Sequence, residues 1–142
     1  MASPNQARIN LAALRHNLAL ARRLAPRSKA MAVIKANAYG HGAVEIAHAL
    51  LRKGIGRFAV ASIEEGITLR HAGLSTPIVV LGALFDQQLA DLVAHRLTPV
   101  VSNGSILPAL AQATRSHPSP YPIHLKIETG MGRLGFSPDE LR

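Results

Sequence analysis

Short apolar runs alternate along this chain with longer segments in which leucine and alanine recur every three or four residues. The runs have the length of buried strands, and the spacing between them is that of helices with one apolar face. This alternation is typical of βα units, whose parallel strands are covered by helices. The predicted strands are 8–11, 30–34, 57–61, 77–81, 98–101 and 121–127, and the predicted helices are 12–24, 43–53, 63–72, 86–95 and 105–115. The sequence therefore predicts an α/β fold with a parallel sheet.

Local signals mark several helix ends. Ser62 with Glu65 three residues later forms a capping-box pattern, and Gly54 and Gly73 are placed to end the helices before them. Ser137-Pro138 has the chemistry of a helix start, because serine is a good N-cap and proline fits the first turn.

The number of strands leaves two architectures open. A closed (β/α)8 barrel has eight parallel strands and about 250 residues, whereas this chain of 142 residues provides at most six. The fold is therefore either a small doubly wound sheet or a barrel that is incomplete in this chain, with about the first five or six βα units.

Charge and composition exclude several classes of protein. The net charge is +8 at pH 7, but the lysines and arginines are scattered apart from Arg22-Arg23 and Arg52-Lys53, and aromatic residues make up only 4%. We therefore predict a solvated basic surface and no nucleic-acid partner. The absence of cysteine removes disulfides and thiolate metal sites, and we expect no metal. No apolar run approaches the roughly 20 residues of a membrane span, and the N-terminus lacks a secretory signal, so we expect a cytoplasmic protein with no membrane partner.

A lysine follows the second predicted strand, in the segment AVIKANAYGHG. Chemistry in barrels and open sheets takes place at the carboxyl ends of strands. Poor hydration at such a position favours the neutral amine of Lys35, which is a nucleophile toward aldehydes. The hydroxyl of Tyr39 could bond a phosphate, and the glycines flanking His41 permit close approach of a ligand. A solvated lysine at a strand end is the alternative for Lys35.

A glycine-rich loop follows the last predicted strand, in the segment HLKIETGMGRLGF. Gly130, Gly132 and Gly135 have the G-x-G-x-x-G spacing of dinucleotide-binding loops. That motif also needs a helix opening within it and an acidic residue about 20 positions later. The predicted helix begins only after Gly135, so a structural turn is the favoured alternative.

Together the two segments resemble the signatures of the alanine racemase family. AVIKANAYGHG resembles the family's pyridoxal-phosphate attachment sequence, and the second segment resembles its K-x-D-T-G-M-x-R-L-G motif, with Glu128 in place of the usual aspartate. The resemblance implies that Lys35 is the catalytic Schiff-base lysine and the base on one face of the substrate, and that Tyr39 contacts the cofactor phosphate. His41 is implied as a supporting residue, with a structural hydrogen bond as its alternative.

The resemblance also implies roles for residues further along the chain. Arg133 would donate to the phenolic oxygen of the cofactor, and Lys126 would be N6-carboxylysine, a carbamylated lysine that accepts from Arg133. Leu81 would pack near the cofactor ring, with core packing as its alternative.

For the whole protein, the resemblance implies racemisation of L- and D-alanine with pyridoxal 5'-phosphate, supplying D-alanine for peptidoglycan. Residues 1–142 would be the N-terminal part of the barrel domain, without the later strands and the C-terminal β domain. We expect a homodimer whose partner subunit supplies a tyrosine as the second base, and little or no activity from the 142 residues alone. A non-catalytic pyridoxal-phosphate-binding barrel and a racemase of another small amino acid such as serine remain alternatives.

Overall fold

A five-stranded parallel sheet forms the centre of the molecule in a computed structural model that describes residues 7–141. The strands are β1 (Ala32–Val33), β2 (Phe58–Val60), β3 (Ile78–Val80), β4 (Thr98–Val101) and β5 (His124–Leu125). The longer helices are α1 (Leu11–Leu24), α3 (Ala43–Leu51), α4 (Ile63–His71), α5 (Leu89–Ala94) and α6 (Leu107–Ala113). A further helical turn, α2 (Lys35–Tyr39), follows β1, and short 3₁₀ turns cover Asp86–Gln88, Gly104–Ile106 and Asp139–Leu141. None of the helices within residues 7–141 combines the length and apolarity needed to cross a membrane.

The strand order distinguishes between the two architectures predicted from the sequence. The strands lie side by side as β1-β2-β3-β4-β5, so each new strand adds to the same edge of the sheet. A doubly wound sheet reverses its direction at a switch point, and this one does not. The architecture is that of an incomplete TIM-type barrel, as predicted.

The two faces of the sheet have different surroundings. Phe58, Ile78 and Val101 lie on the face that packs against the helices and belong to the main core. The alternate residues Ala59 and Val79 point to the opposite face. There they form a small cluster with Val100 and Leu81, and no helix contributes a residue to this cluster. The sheet is therefore covered by helices on one side and presents small apolar side chains on the other, as in the wall of a barrel.

Most predicted strands and helices are confirmed, with ends that differ by at most three residues, but the predicted strand 8–11 is wrong. Those residues have no strand neighbour in the described part of the chain, and Leu11 already belongs to α1. Asn10 is the N-cap of this helix, because its side-chain oxygen accepts from the N–H groups of Ala12 and Ala13 at 2.9 and 3.0 Å. Capping chemistry decides this segment where apolar content suggested a strand.

The predicted strand 121–127 shortens to two residues for an equally local reason. Pro122 has no N–H to give to a ladder. The hydroxyl of Tyr121 donates to the carbonyls of Leu92 and Leu97, which anchors the residue to the turn before β4 instead. Ser137 does begin a helical turn, and it exchanges hydrogen bonds with Glu140 as a capping box does.

Arg70 ties together the loops at the amino ends of the strands. Its guanidinium donates to the carbonyl oxygens of Leu74, Thr76, His95 and Arg96 at 2.7 to 2.8 Å. These carbonyls belong to the turns that lead into β3 and β4. The planar guanidinium group has five N–H donors and can reach all four carbonyl oxygens, whereas the ammonium group of a lysine has only three donors.

We expect Arg70→Lys to lower the free energy of unfolding by about 2 kcal/mol, because a lysine can satisfy only some of the four carbonyls. Arg115→Lys makes the same exchange at an exposed position and should change stability by less than about 0.5 kcal/mol. Urea unfolding of both variants measures the difference. Equal stability of the two variants would contradict this role of Arg70.

Candidate active site

A cavity of about 310 Å³ opens at the carboxyl ends of the strands. Its lining comes from the ends of β1, β2, β3 and β4 and from the glycine-rich loop after β5: Lys35, Ala61, Leu81, Gly82, Val100, Lys126, Arg133 and Leu134. Lys35 follows β1 by two residues, and its side chain lines this cavity together with Leu81 and Val100 of the helix-free face. The fold thus brings together Lys35, Leu81, Lys126 and Arg133, which are up to 98 residues apart in the chain.

The charged side chains that line this cavity have one sign. Lys35, Lys126 and Arg133 all line it, and none of its lining residues carries a carboxylate. Three cations around one small space repel each other unless an anion or a neutralising modification joins them. The cavity is therefore suited to an anionic ligand, and an amine in it is suited to react with an aldehyde.

The chain leaves Lys35 in a left-handed turn. Ala36, Asn37 and Ala38 have φ between 49 and 53° and ψ between 46 and 50°, and Tyr39 has φ 56°. Such a conformation costs roughly 1–2 kcal/mol for each residue with a β-carbon. Four consecutive residues of this kind persist only where the surroundings hold them. The sequence predicted a loop here, and among these four residues only Asn37 is of a type that readily adopts this handedness.

Hydrogen bonds inside the turn account for part of that support. Ala38 donates to the carbonyl of Ile34 at 2.9 Å, and Gly40 donates to that of Ala36 at 3.0 Å. The side-chain oxygen of Asn37 accepts from the N–H of Ala43 at 2.8 Å, which fastens the turn to the start of α3.

Glu65 provides the long-range support, and sequence reasoning missed this role. One carboxylate oxygen accepts from the N–H of Ala36 at 2.6 Å, and the other accepts from the N–H of Ala61 at 2.7 Å. The half-buried carboxylate therefore bridges the residue after Lys35 and the residue after β2. Ser62 caps α4 as predicted, since its hydroxyl accepts from the N–H of Glu65 at 3.4 Å. In a capping box the Glu65 carboxylate would accept from the N–H of Ser62, but here it accepts from Ala36 and Ala61 instead.

The other two predicted residues of the lysine segment lie apart from this cavity. Tyr39 and His41 border a different cavity, of about 660 Å³, between β1 and the first half of α1. The Tyr39 side chain is 59% exposed. The Nδ1 atom of His41 is 2.7 Å from the carbonyl oxygen of Ala38, so this histidine makes a structural hydrogen bond within its own turn.

Gly82 permits a close contact between β2 and β3 that a side chain would prevent. Its N–H donates to the carbonyl of Ala61 at 3.0 Å, and a β-carbon at this position would lie 2.3 Å from that oxygen. Since Ala61 also donates to Glu65, the glycine is part of the same framework. In the sequence, the only sign of this close contact is that a glycine follows the predicted strand 77–81.

The glycine-rich loop is a closed structural loop. Glu128 donates its N–H to Phe136 and Phe136 donates to Lys126, both at 2.8 Å, which closes the neck of the loop. A β-carbon on Gly135 would lie 2.8 Å from the nitrogen of Glu128, so this neck needs a glycine. No helix opens within the G-x-G-x-x-G residues, and the next helical turn begins at Asp139. The loop therefore lacks the helix N-terminus that a dinucleotide-binding loop requires.

The carboxylate of Glu128 organises the interior of this loop. It accepts from the backbone N–H groups of Gly130 and Arg133. Hydrogen bonds from the backbone, led by those of Gly132 and Gly130, lower the pKa of Glu128 to about 2. Glu128 thus holds the backbone that carries Arg133. It stands where the motif K-x-D-T-G-M-x-R-L-G has aspartate.

We expect Glu65→Ala to lower the free energy of unfolding by about 2 kcal/mol, because it leaves two N–H groups without their charged acceptor. Amide hydrogen exchange should accelerate at Ala36 and Ala61. The control is Glu64→Ala, which removes an exposed carboxylate that accepts from the Gln88 side chain at 3.0 Å and interacts with Ser62, but is not the acceptor for Ala36 or Ala61. Equal exchange at Ala36 in both variants would show that the bridge does not hold the turn.

The pH dependence of the glycine-rich loop follows from Glu128. Its folded pKa lies below the usual 4.5, so the loop's hydrogen bonds are complete above about pH 4.5 and are lost as the pH falls through about 2. Carboxyl NMR titration should give a midpoint near 2 for Glu128. Glu128→Gln should accelerate amide exchange at Gly130 and Arg133 already at neutral pH, whereas Glu64→Gln should not. A Glu128 midpoint near 4.5 would contradict the bonding described above.

Comparison with known proteins gives a consistent result. Residues 9–142 match the family model described as "Alanine racemase, N-terminal domain". A curated alanine racemase of Carboxydothermus hydrogenoformans is 45% identical over 138 residues, which cover 97% of this chain and 38% of the relative. The alanine racemase of Chromohalobacter salexigens is 50% identical over 141 residues, covering 98% of this chain and 38% of the relative.

The similarity extends to three-dimensional structure. A solved alanine racemase of Clostridium difficile, in complex with cycloserine, superposes with a TM-score of 0.92 at 37% identity, covering 99% of this chain and 39% of that one. This chain therefore spans somewhat more than a third of the length of the relatives it matches. Because sequence, fold and family model agree over nearly all of its residues, the chain belongs to the alanine racemase family.

Proposed function

We propose that the protein carrying this chain interconverts L- and D-alanine with pyridoxal 5'-phosphate, and that Lys35 holds the cofactor. The observation that supports this proposal is the convergence of Lys35, Lys126 and Arg133 on one cavity at the carboxyl ends of the strands. A lysine at the end of β1 could be no more than a solvated terminus, but a half-buried lysine that shares a cavity with two more cations has a specific environment.

The residues present fit the chemical groups of this cofactor. Its aldehyde matches the amine of Lys35, and its phenolate and phosphate are anions that match the cationic lining. The volume of about 310 Å³ is at the lower end of the range for small-molecule sites. When bound, the cofactor supplies an electron sink that stabilises negative charge at the substrate Cα.

The chain's own residues divide the remaining work. Lys35 would hold and move the proton at Nζ on one face of the substrate Cα. Arg133 would donate to the phenolic oxygen of the cofactor, and Glu128 fixes the backbone on which Arg133 stands. Leu81, packed on the helix-free cluster, would contact the ring.

Lys126 as N6-carboxylysine would resolve the repulsion within the cavity. Carbamylation turns a cation into an anion, which can accept from the planar fork of Arg133. Tyr39 remains a predicted phosphate contact, since it belongs to the same turn as Lys35 and its side chain is 59% exposed. His41 remains a predicted supporting residue that stabilises the turn through Ala38.

Two-way inversion needs a second base on the opposite face of the substrate. The sequence has two tyrosines, Tyr39 and Tyr121, and the hydroxyl of Tyr121 is bonded to backbone carbonyls far from the cavity. We therefore propose that residues 1–142 are the N-terminal part of the barrel domain, and that the second base comes from a C-terminal β domain of the partner in a cytoplasmic homodimer. D-Alanine for peptidoglycan would be the product.

Trapping with borohydride tests the role of Lys35. The chain incubated with pyridoxal phosphate should absorb at roughly 420 nm, a value typical of such imines, and reduction should fix the label on Lys35 in a peptide map. Lys35→Ala should abolish this label, while Lys53→Ala, which removes an exposed lysine elsewhere, should retain it. In the whole protein, Lys35→Ala should lower kcat for alanine by roughly 10²–10⁴-fold or more.

The outcomes separate the alternatives. A label on Lys35 without racemisation of any amino acid by the whole protein would favour a non-catalytic binding barrel. Faster turnover of serine than of alanine would change the substrate and keep the mechanism. Unchanged labelling and turnover in Lys35→Ala would reject the proposal.

A further inference from the structure

The fold separates the charges of this chain into two ends. All eight acidic residues lie in the first turns of helices or in the segments after strands, at the end of the sheet that carries the candidate active site: Glu45, Glu64, Glu65, Asp86, Asp91, Glu128, Asp139 and Glu140. Most lysines and arginines lie at the opposite end, where helices finish and strands begin: Arg22, Arg23, Arg27, Lys29, Arg52, Lys53, Arg57, Arg70, Arg96 and Arg115. The sequence scatters these cations, and the βα topology gathers them on one face. We call this face the basic floor.

The helix dipole explains only part of this distribution. Cations at a helix C-terminus are favourable, which accounts for Arg22 and Arg23 in the last turn of α1. Lys29 and Arg57 stand outside helices, shortly before β1 and β2. Each is exposed, and neither side chain forms a hydrogen bond with another described residue. The dipole gives no reason for cations at these two positions.

A cavity of about 370 Å³ in the basic floor joins these residues. It is lined by Arg22, Ser28, Lys29, Ala30, Gly54, Gly56 and Arg57, so three cations and a hydroxyl surround it and no carboxylate does. The guanidinium of Arg22 is already fixed there, because it donates to the carbonyl of Lys53 at 2.7 Å. Gly56 leaves open space beside the cavity, since a β-carbon there would meet no atom within 4 Å.

We propose that this cavity binds an anion that carries two or more phosphate groups. A phosphate group has a charge of about −1.5 to −2 at pH 7, so two of them match the three cations of the lining. Guanidinium groups suit phosphate oxygens because they can donate two parallel hydrogen bonds. The chain has few aromatic residues and the cavity has none, which favours a compact phosphate ligand over a nucleic-acid strand that needs stacking. This site is at the opposite end of the sheet from Lys35 and does not depend on the proposed function.

Calorimetric titration of the whole protein that carries this chain with inorganic pyrophosphate tests the proposal, with sulfate and orthophosphate as competitors at constant ionic strength. We expect pyrophosphate to bind more tightly than either and to raise the melting temperature. Lys29→Gln and Arg57→Gln should each weaken it about tenfold, the equivalent of one charge-assisted hydrogen bond. The matched control is Arg115→Gln, which removes the same charge from the basic floor outside the cavity and should change the affinity less than about twofold.

Circular dichroism of each variant confirms that the fold is intact before the affinities are compared. Pyrophosphate that binds no more tightly than sulfate would overturn the proposal. An equal loss in Arg115→Gln and in the two cavity variants would also overturn it, because only the diffuse charge of the floor would then matter. Duplex DNA or anionic vesicles that bind more tightly than pyrophosphate, with the same loss in all three variants, would assign the floor to a polyanionic surface instead.

Discussion

The carboxylate of Glu65 joins two backbone segments that border the candidate active site. It accepts from Ala36 beside the lysine and from Ala61 at the end of β2. Ala61 in turn accepts from Gly82 at the end of β3, so three consecutive strand ends share one set of hydrogen bonds. A left-handed turn of four residues is costly, and a charged acceptor that is already fixed on α4 compensates part of that cost. The backbone beside Lys35 is therefore held by a residue 30 positions later in the chain.

The same separation of charge shapes both ends of the sheet. Acidic residues at helix starts and basic residues at helix ends each interact favourably with the helix dipole. Because every helix after a strand runs in the same direction, these local preferences add up to an acidic end and a basic end. The candidate active-site cavity is the exception, since its cations are supplied by the ends of β1 and β5 and by the glycine-rich loop within the otherwise acidic end. An exception of this kind is typical of a functional site, where local stability is given up for ligand binding.

Glycine marks the points where backbones approach most closely. At Gly82 and Gly135 a β-carbon would collide with backbone atoms of the neighbouring segment. The first contact closes the gap between two strand ends, and the second closes the neck of the loop that carries Arg133. The glycine-rich loop could be taken for a dinucleotide site from its spacing, but in the structure its glycines serve the loop's own closure around Glu128.

The sequence by itself determined the order of the βα units and the central residues of most helices and strands. It also determined that a lysine follows β1 and that Lys126 and Arg133 belong to the glycine-rich segment. Periodicity, capping residues and motif residues are local properties, so the sequence shows them directly. Apolar content was misleading at residues 8–11, where capping by Asn10 starts a helix, and at residues 121–127, where Pro122 and the hydroxyl of Tyr121 shorten the strand. Only the tertiary structure decided which edge each strand joined, that Glu65 would support the lysine turn, and that Tyr39 and His41 would face a different cavity from Lys35. These outcomes depend on contacts between residues far apart in the chain, whose geometry exists only after the sheet has assembled.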